Sequence, residues 1–286
     1  MSASTKAPTE WLTDWDVARP IALKSARVGA REGEWTAGLL PYFEYRSLDL
    51  DKASSGKFGG WHVRAIASSG DWQADDVDFH QLFVLKGTAR VAFADGSEVE
   101  LHKESSLVMP PLYRYRVAAL SEDFEALHIV APAEYDIVWG EDVVLPQRAA
   151  TLDPQRTPIV NHDDDASWGP GLREFFEYRD LGTLEPTDGR AYVHVVRAAG
   201  QPFQEGTGWH YHSWAQMFIV LGGYADIRVE TSPRWALSYG DAYCIGAGPT
   251  QRHFVDRVTA DYKVIELCVP GWKDATPVDA PEGSYI

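Results

Sequence analysis

The chain has 286 residues, of which 45% are hydrophobic and 24% charged, a globular balance with length enough for one large domain or two of ordinary size. A formal net charge of -16 repels phosphate backbones and argues against nucleic-acid binding, and no apolar run reaches the roughly 18 residues of a membrane helix. The two cysteines, Cys244 and Cys268, form neither a CxxC nor a four-ligand set, which excludes a disulfide framework. Residues 1–9 are polar and carry no hydrophobic signal core, so the expectation is a soluble, cytoplasmic protein with Cys244 as a small buried residue.

In chain order, the first element is an N-terminal arm in which residues 11–18 form a brief helical candidate, with Trp11 and Trp15 expected to pack on the main body or on a partner subunit. Short segments rich in Val, Ile, Phe, Tyr and Trp follow, separated by Gly, Asp, Pro and Ser, as at 82–85 and 89–93. Asp95-Gly96 is a hairpin signal. Residues 146–167, with Pro154, Pro158 and the run Asp163-Asp164-Asp165, read as a linker. Past it the pattern repeats. Phe43-Glu44-Tyr45-Arg46 returns as Phe176-Glu177-Tyr178-Arg179, each followed by a leucine, Leu48 and Leu181. Val63-Arg64-Ala65 returns as Val196-Arg197-Ala198, Gln81 to Leu85 parallels Gln216 to Leu221, and Gly87 falls with Gly222. The offset is about 133 to 135 residues throughout, the size of a whole small domain. The prediction is an all-β protein of two tandem barrels, 1–150 and 151–286.

The second half alone contains a metal-ligating pattern, Trp209-His210-Tyr211-His212-Ser213-Trp214-Ala215-Gln216. Histidines at i and i+2 on a strand share one face, so two imidazoles converge if that face is the barrel interior. His253 follows the turn Gly246-Ala247-Gly248-Pro249 and is the later histidine available to complete the set. Neutral imidazoles suit Fe, Mn, Ni, Cu or Zn. Alternation turns Trp209 and Tyr211 away from such a site and makes Trp214 and Phe218 candidate pocket walls, while Tyr243 is expected in the core. Arg252 and Arg257 are candidates to pair with a substrate carboxylate.

These residues resemble the cupin superfamily, whose first motif runs G(X)5HXH(X)3-4E(X)6G and whose second runs G(X)5PXG(X)2H. His210, His212, Gln216 and Gly223 take the spacing of the first, with glutamine in place of glutamate. Gly240, Gly246, Gly248 and His253 resemble the second, with glycine for proline and the histidine two positions later. The resemblance implies two tandem jelly-roll barrels, a metal held by His210, His212 and His253, and Gln216 as a fourth ligand or a catalytic orienting group. A homodimer is implied on the same ground. In the first half, aligning Gln81 with Gln216 sets Asp75 and Val77 at the histidine positions and Tyr115 near the third, with His80 out of register, so no metal is expected there.

Three histidines and a glutamine leave a divalent ion its full charge, which favours a small anionic chelating substrate. Among cupins, three-histidine iron sites without the glutamate are associated with dioxygenases, so the leading expectation is an Fe(II) dioxygenase of a small aromatic or enolisable acid, with Mn, Ni or Zn as alternatives. A metal-dependent isomerase or lyase of a sugar or uronate, and a non-catalytic small-ligand-binding protein, are the competing expectations.

Overall fold

The computed structural model describes residues 10–14, 16–164, 167–199, 206–230, 232–271 and 274–284. Each half of the chain builds a five-stranded and a seven-stranded antiparallel sheet. The strands follow the alternation of the sequence: in Ser232–Ser238, Trp235 and Leu237 are buried while Ala236 and Ser238 face out. Leu40, Phe43, Val63, Val91, Val117 and Phe124 fill the space between the two sheets of the first half. Phe176, Val196, Phe218, Ile227, Tyr243 and Val264 do so in the second. No helix among the described residues is long and apolar enough to cross a membrane.

A third core lies between the halves. Phe79, Phe83, Leu127 and Ile129 from one seven-stranded sheet meet Val193, Met217, Ile265 and Leu267 from the other. Both repeat leucines, Leu48 and Leu181, are buried in this layer, as is Cys244. Burial pushes the Cys244 thiol up to about 12, so it is a packing residue with no thiolate at neutral pH. Full burial of each large apolar side chain contributes about 1.5–3 kcal/mol, which makes this layer a major part of the stability of both halves.

Neither seven-stranded sheet is completed by its own half. Ala26–Val28 from the N-terminal segment pairs with Ala242–Ile245 and forms the edge of the second half's sheet. Ile159–Asn161, inside the segment read as a linker, pairs with Ser106–Met109 and forms the edge of the first half's sheet. The division at residue 150 drawn from the sequence leaves both exchanged strands out of account. The arginine of the repeated motif pins each exchange. Arg46 reaches the Ala30 carbonyl just past the first exchanged strand and lies 2.8 Å from His62 Nδ1. Arg179, 1% exposed, donates to Asn161 Oδ1 at 3.1 Å and to the Glu104 carbonyl at 2.6 Å, and pairs with Asp163. Asp165 of the same acidic run lies outside the described residues.

The arm differs from its reading. Residues 10–14 and 16–20 contain no helix, because the Asp78 carboxylate accepts from the Leu12 and Thr13 backbone amides at 2.9 and 2.7 Å and Arg148 binds the same carboxylate. A helix end has free amides too, but a buried tertiary carboxylate claims these first. Trp11 lies under the Arg190 guanidinium, 4.3 Å from ring centroid to carbon, so it packs on the second half. Trp15 lies outside the described residues.

Replacing Arg179 by methionine leaves Asn161, Asp163 and the Glu104 carbonyl without their shared donor. Asp163, 37% exposed, keeps its hydration, so the cost is that of the hydrogen bonds lost with the buried guanidinium, about 1–3 kcal/mol. Urea denaturation of Arg179→Met is expected to show a loss of that order, whereas Arg64→Met, at an exposed pair with Glu44, should cost under about 1 kcal/mol.

Candidate metal centre

His210 and Tyr211 form a two-residue strand, and His210 lies directly opposite His253 on the strand His253–Val258. His212 follows two positions after His210, on the same face. One ligand atom from each of the three lies within 4.8 Å of the others, and all three side chains are buried. The ring centroids of His210 and His253 are 4.3 Å apart, and those of His212 and His253 are 5.1 Å apart.

Each ring is oriented by a backbone carbonyl. His210 Nδ1 donates to the Gly208 oxygen at 2.8 Å, His253 Nδ1 to the Gln251 oxygen at 3.1 Å, and His212 Nδ1 to the Asp274 oxygen. A carbonyl only accepts, so Nδ1 carries the hydrogen in all three and the Nε2 lone pairs are left for a ligand. Gly208, at φ +68°, adopts the left-handed conformation needed to turn its carbonyl back onto the His210 ring. Burial holds all three imidazoles below their ordinary value, and for His210 and His253 the neighbouring rings add to it; His210 sits at about 4 and His253 well below its ordinary range. Three neutral, oriented nitrogen donors fit a divalent transition metal such as Fe, Mn, Ni or Zn.

Gln216 stands on Ala215–Gly222, next to the triad in the same cavity. Its amide nitrogen donates to Glu266 Oε1 at 2.7 Å, and its own oxygen is buried without a partner. Glu266 is also bound by His194 Nε2 at 2.8 Å and by the Cys268 thiol at 3.4 Å. Burial opposes the charge of Glu266, but His194 and Gln216 outweigh it and hold the carboxyl at about 2. The sequence reading of an uncharged ligand surround is therefore corrected: a full negative charge is kept one hydrogen bond behind the glutamine. No motif marks Glu266, because it lies 50 residues beyond Gln216 and meets it only through sheet pairing. His194, Glu266 and Cys268 form a second cluster with ligand atoms within 4.8 Å, but the Glu266 oxygens are already occupied by protein donors.

The triad opens on a cavity of about 80 Å³. Trp214, Phe218, Tyr243, Phe176, Ile227 and Val255 wall it, while Arg173, Glu266, His194 and the hydroxyls of Tyr178 and Tyr262 are among its polar lining besides the triad. Trp214 and Phe218 take the places expected of them, and Tyr243, stacked on Phe218 at 4.4 Å, is wall as well as core. Trp209 stacks on Phe254 outside the cavity. The two arginines suggested by sequence are engaged elsewhere: Arg252 by Glu230 and Arg257 by Asp226. Arg173 is the cation at the cavity, and nothing near it in sequence signals that position.

Strand pairing corrects the alignment of the first half. His128 opposes Leu82 as Glu266 opposes Phe218, so His80, not Gln81, is the counterpart of Gln216. Tyr115 opposes Gln73 as His253 opposes His210, so the histidine positions hold Gln73 and Asp75 rather than Asp75 and Val77. Gly87 likewise matches Gly223, each at positive φ where a Cβ would strike backbone at 2.6–2.8 Å, and not Gly222. The connection between the second ligand position and the fourth is one residue longer in the first half, which an ungapped comparison cannot absorb. The four positions are closed on one another: Tyr115 donates to Asp75 at 2.8 Å, Gln73 to Asp75 at 2.9 Å, and His80 Nδ1 lies 3.0 Å from Asp75. His128, where the second half has Glu266, has neither nitrogen bonded, and burial pushes it down to about 3.

No family profile and no curated protein matches this sequence. Solved structures do. Bacillus subtilis oxalate decarboxylase is similar at a TM-score of 0.60 and 12% identity, over 88% of this chain and 78% of that one. A second structure of that enzyme, in a study of its Mn(II) centres, is similar at 0.61 and 11%, over 88% and 79%. A third, from work on substrate binding and reaction specificity in oxalate decarboxylase, is similar at 0.62 and 12%, over 88% and 79%. The fold is two tandem cupin barrels.

The depressed imidazoles set a pH dependence. His210 is neutral in the fold down to about 4, whereas the unfolded chain protonates it near 6.5. Stability is therefore fully present above pH 6.5 and declines as pH falls from there toward 4. Urea midpoints of metal-free protein at pH 7, 6 and 5 should fall in that order, and His210→Gln should flatten the decline.

Proposed function

We propose that the chain is a metal-dependent cupin enzyme, with a divalent ion held by His210, His212 and His253, that acts as an Fe(II) dioxygenase on a small chelating substrate with an apolar body. The carrying observation is the set of three Nδ1–carbonyl bonds, which fixes three Nε2 lone pairs toward one point without further protein donors closing around them. With iron bound, the centre supplies Lewis-acid activation of the substrate and electron transfer to O2. The chain's own residues do the rest. The Gln216 oxygen, its amide nitrogen fixed by Glu266, is aimed as a fourth ligand or as an acceptor for a substrate hydroxyl. The Glu266 charge moderates the positive field of the ion. The aromatic and aliphatic walls exclude water from the substrate body.

Those walls also bear on the substrate class. A sugar or uronate needs a hydrogen-bond partner for each hydroxyl that it buries, and in this cavity those partners are scattered among aromatic and aliphatic walls. An aromatic acid, a catechol or a 1,3-diketone asks for donors at its chelating oxygens and apolar contact elsewhere. A Lewis-acid lyase is the second reading, favoured by the buried Glu266 carboxylate that His194 and Gln216 hold by hydrogen bonds beside the site.

Elemental analysis after iron loading, with oxygen uptake on gentisate, salicylate, catechols and 1,3-diketones, tests the first reading. One equivalent of metal and uptake with a member of the panel are expected. Turnover without oxygen consumption would move the assignment to the lyase. His210→Ala is expected to lower metal affinity at least about 100-fold, and unchanged metal content in that variant would show that the ion is held elsewhere.

A further inference from the structure

We propose that Arg173 anchors a carboxylate on the substrate, at the far end of an apolar body whose other end reaches the three-histidine centre. The assignment rests on the metal reading above and adds the substrate's second charged group.

Arg173 lies in the turn just before the strand Phe176–Asp180 and lines the same cavity as His210, His212 and His253. Leu172 beside it also lines the cavity and is 40% exposed, so this turn stands at the mouth. Among the described residues no side chain forms an ion pair or hydrogen bond with the Arg173 guanidinium. Every arginine examined above for a structural role is held: Arg46 and Arg179 at the exchanged strands, Arg148 by Asp76 and Asp78, Arg252 by Glu230, Arg257 by Asp226. Arg173 is half-buried at the mouth of an apolar cavity, where its guanidinium is open to a bound anion.

The chemistry that fits is a carboxylate. The planar guanidinium offers two parallel N–H donors to it, which fixes orientation as well as charge. The apolar residues between the mouth and the triad, among them Phe176, Phe218 and Ile227, then receive the substrate body. An enzyme built this way discriminates between two molecules with the same chelating end by the presence of a remote carboxylate.

Cobalt(II)-loaded protein titrated with catechol and with 3,4-dihydroxybenzoate reads this directly, because both present the same chelating oxygens and one adds the remote carboxylate. Binding is followed by the visible cobalt bands and by calorimetry. Wild type is expected to bind 3,4-dihydroxybenzoate at least tenfold more tightly than catechol. Arg173→Met should bring the two within twofold by weakening the carboxylate alone, with cobalt stoichiometry and catechol affinity unchanged, and Arg173→Lys should fall between. A preference that survives in Arg173→Met, or an equal loss for both probes, overturns the anchor. Cobalt and catechol binding without discrimination in wild type also overturns it while leaving the metal reading intact. Failure to bind one equivalent of cobalt overturns the metal reading and the anchor together.

Discussion

Everything in this molecule is arranged around an exchange of edge strands. In each half six strands of the large sheet come from that half, and the seventh, at the edge, comes from the other half's side of the chain and pairs with amides and carbonyls that would otherwise be exposed. The exchange brings the two seven-stranded sheets face to face, and the apolar layer between them buries Phe79, Phe83, Leu127, Met217, Ile265 and Leu267 together. The repeated arginine is the lock in both cases, and it ties the exchanged segment to the barrel: Arg46 binds the Ala30 carbonyl and His62, Arg179 binds Asn161, Asp163 and the Glu104 carbonyl. This gives the duplicated motif a purpose that neither copy has alone: Arg46 and Arg179 each hold a piece of chain that has crossed over.

Fixing the seven-stranded sheets also fixes what lies on their inner faces. Gln216 and Glu266 sit on neighbouring strands of the second half's large sheet, and His210 and His253 on neighbouring strands of its small sheet. The site is thus assembled across the barrel interior, with the ligands on one wall and the carboxylate that supports Gln216 on the other. The triad depends on local backbone as well. Three carbonyls, two of them only two residues from the ring they orient, decide which nitrogen faces the cavity.

The two barrels show how one frame supports two electrostatic outcomes. At the four positions that carry His210, His212, Gln216 and His253 in the second half, the first half carries Gln73, Asp75, His80 and Tyr115. There, burial opposes the charge on Asp75, but His80, Tyr115 and Gln73 satisfy the carboxylate and hold it below the usual range. In the second barrel the corresponding donors are all lone pairs, with no acid among them to bind. One set closes on itself; the other leaves its imidazole Nε2 lone pairs without protein donors.

Much of this was legible in the residues alone. Strand-like segments, the repeat of Phe-Glu-Tyr-Arg, and the His-x-His pair with a later histidine are local patterns, and local patterns survive in sequence because side-chain alternation and spacing are set by the backbone itself. The arm around Trp11, the one-residue slip at His80, the exchanged strands, Glu266 behind Gln216, and Arg173 at the mouth were not legible. Each is a relation between segments far apart in the chain, created by register and by which sheet a strand joins. Register moves a side chain from one face to the other with a shift of a single residue, so it is decided by the packed structure and leaves no mark within the segment that it moves.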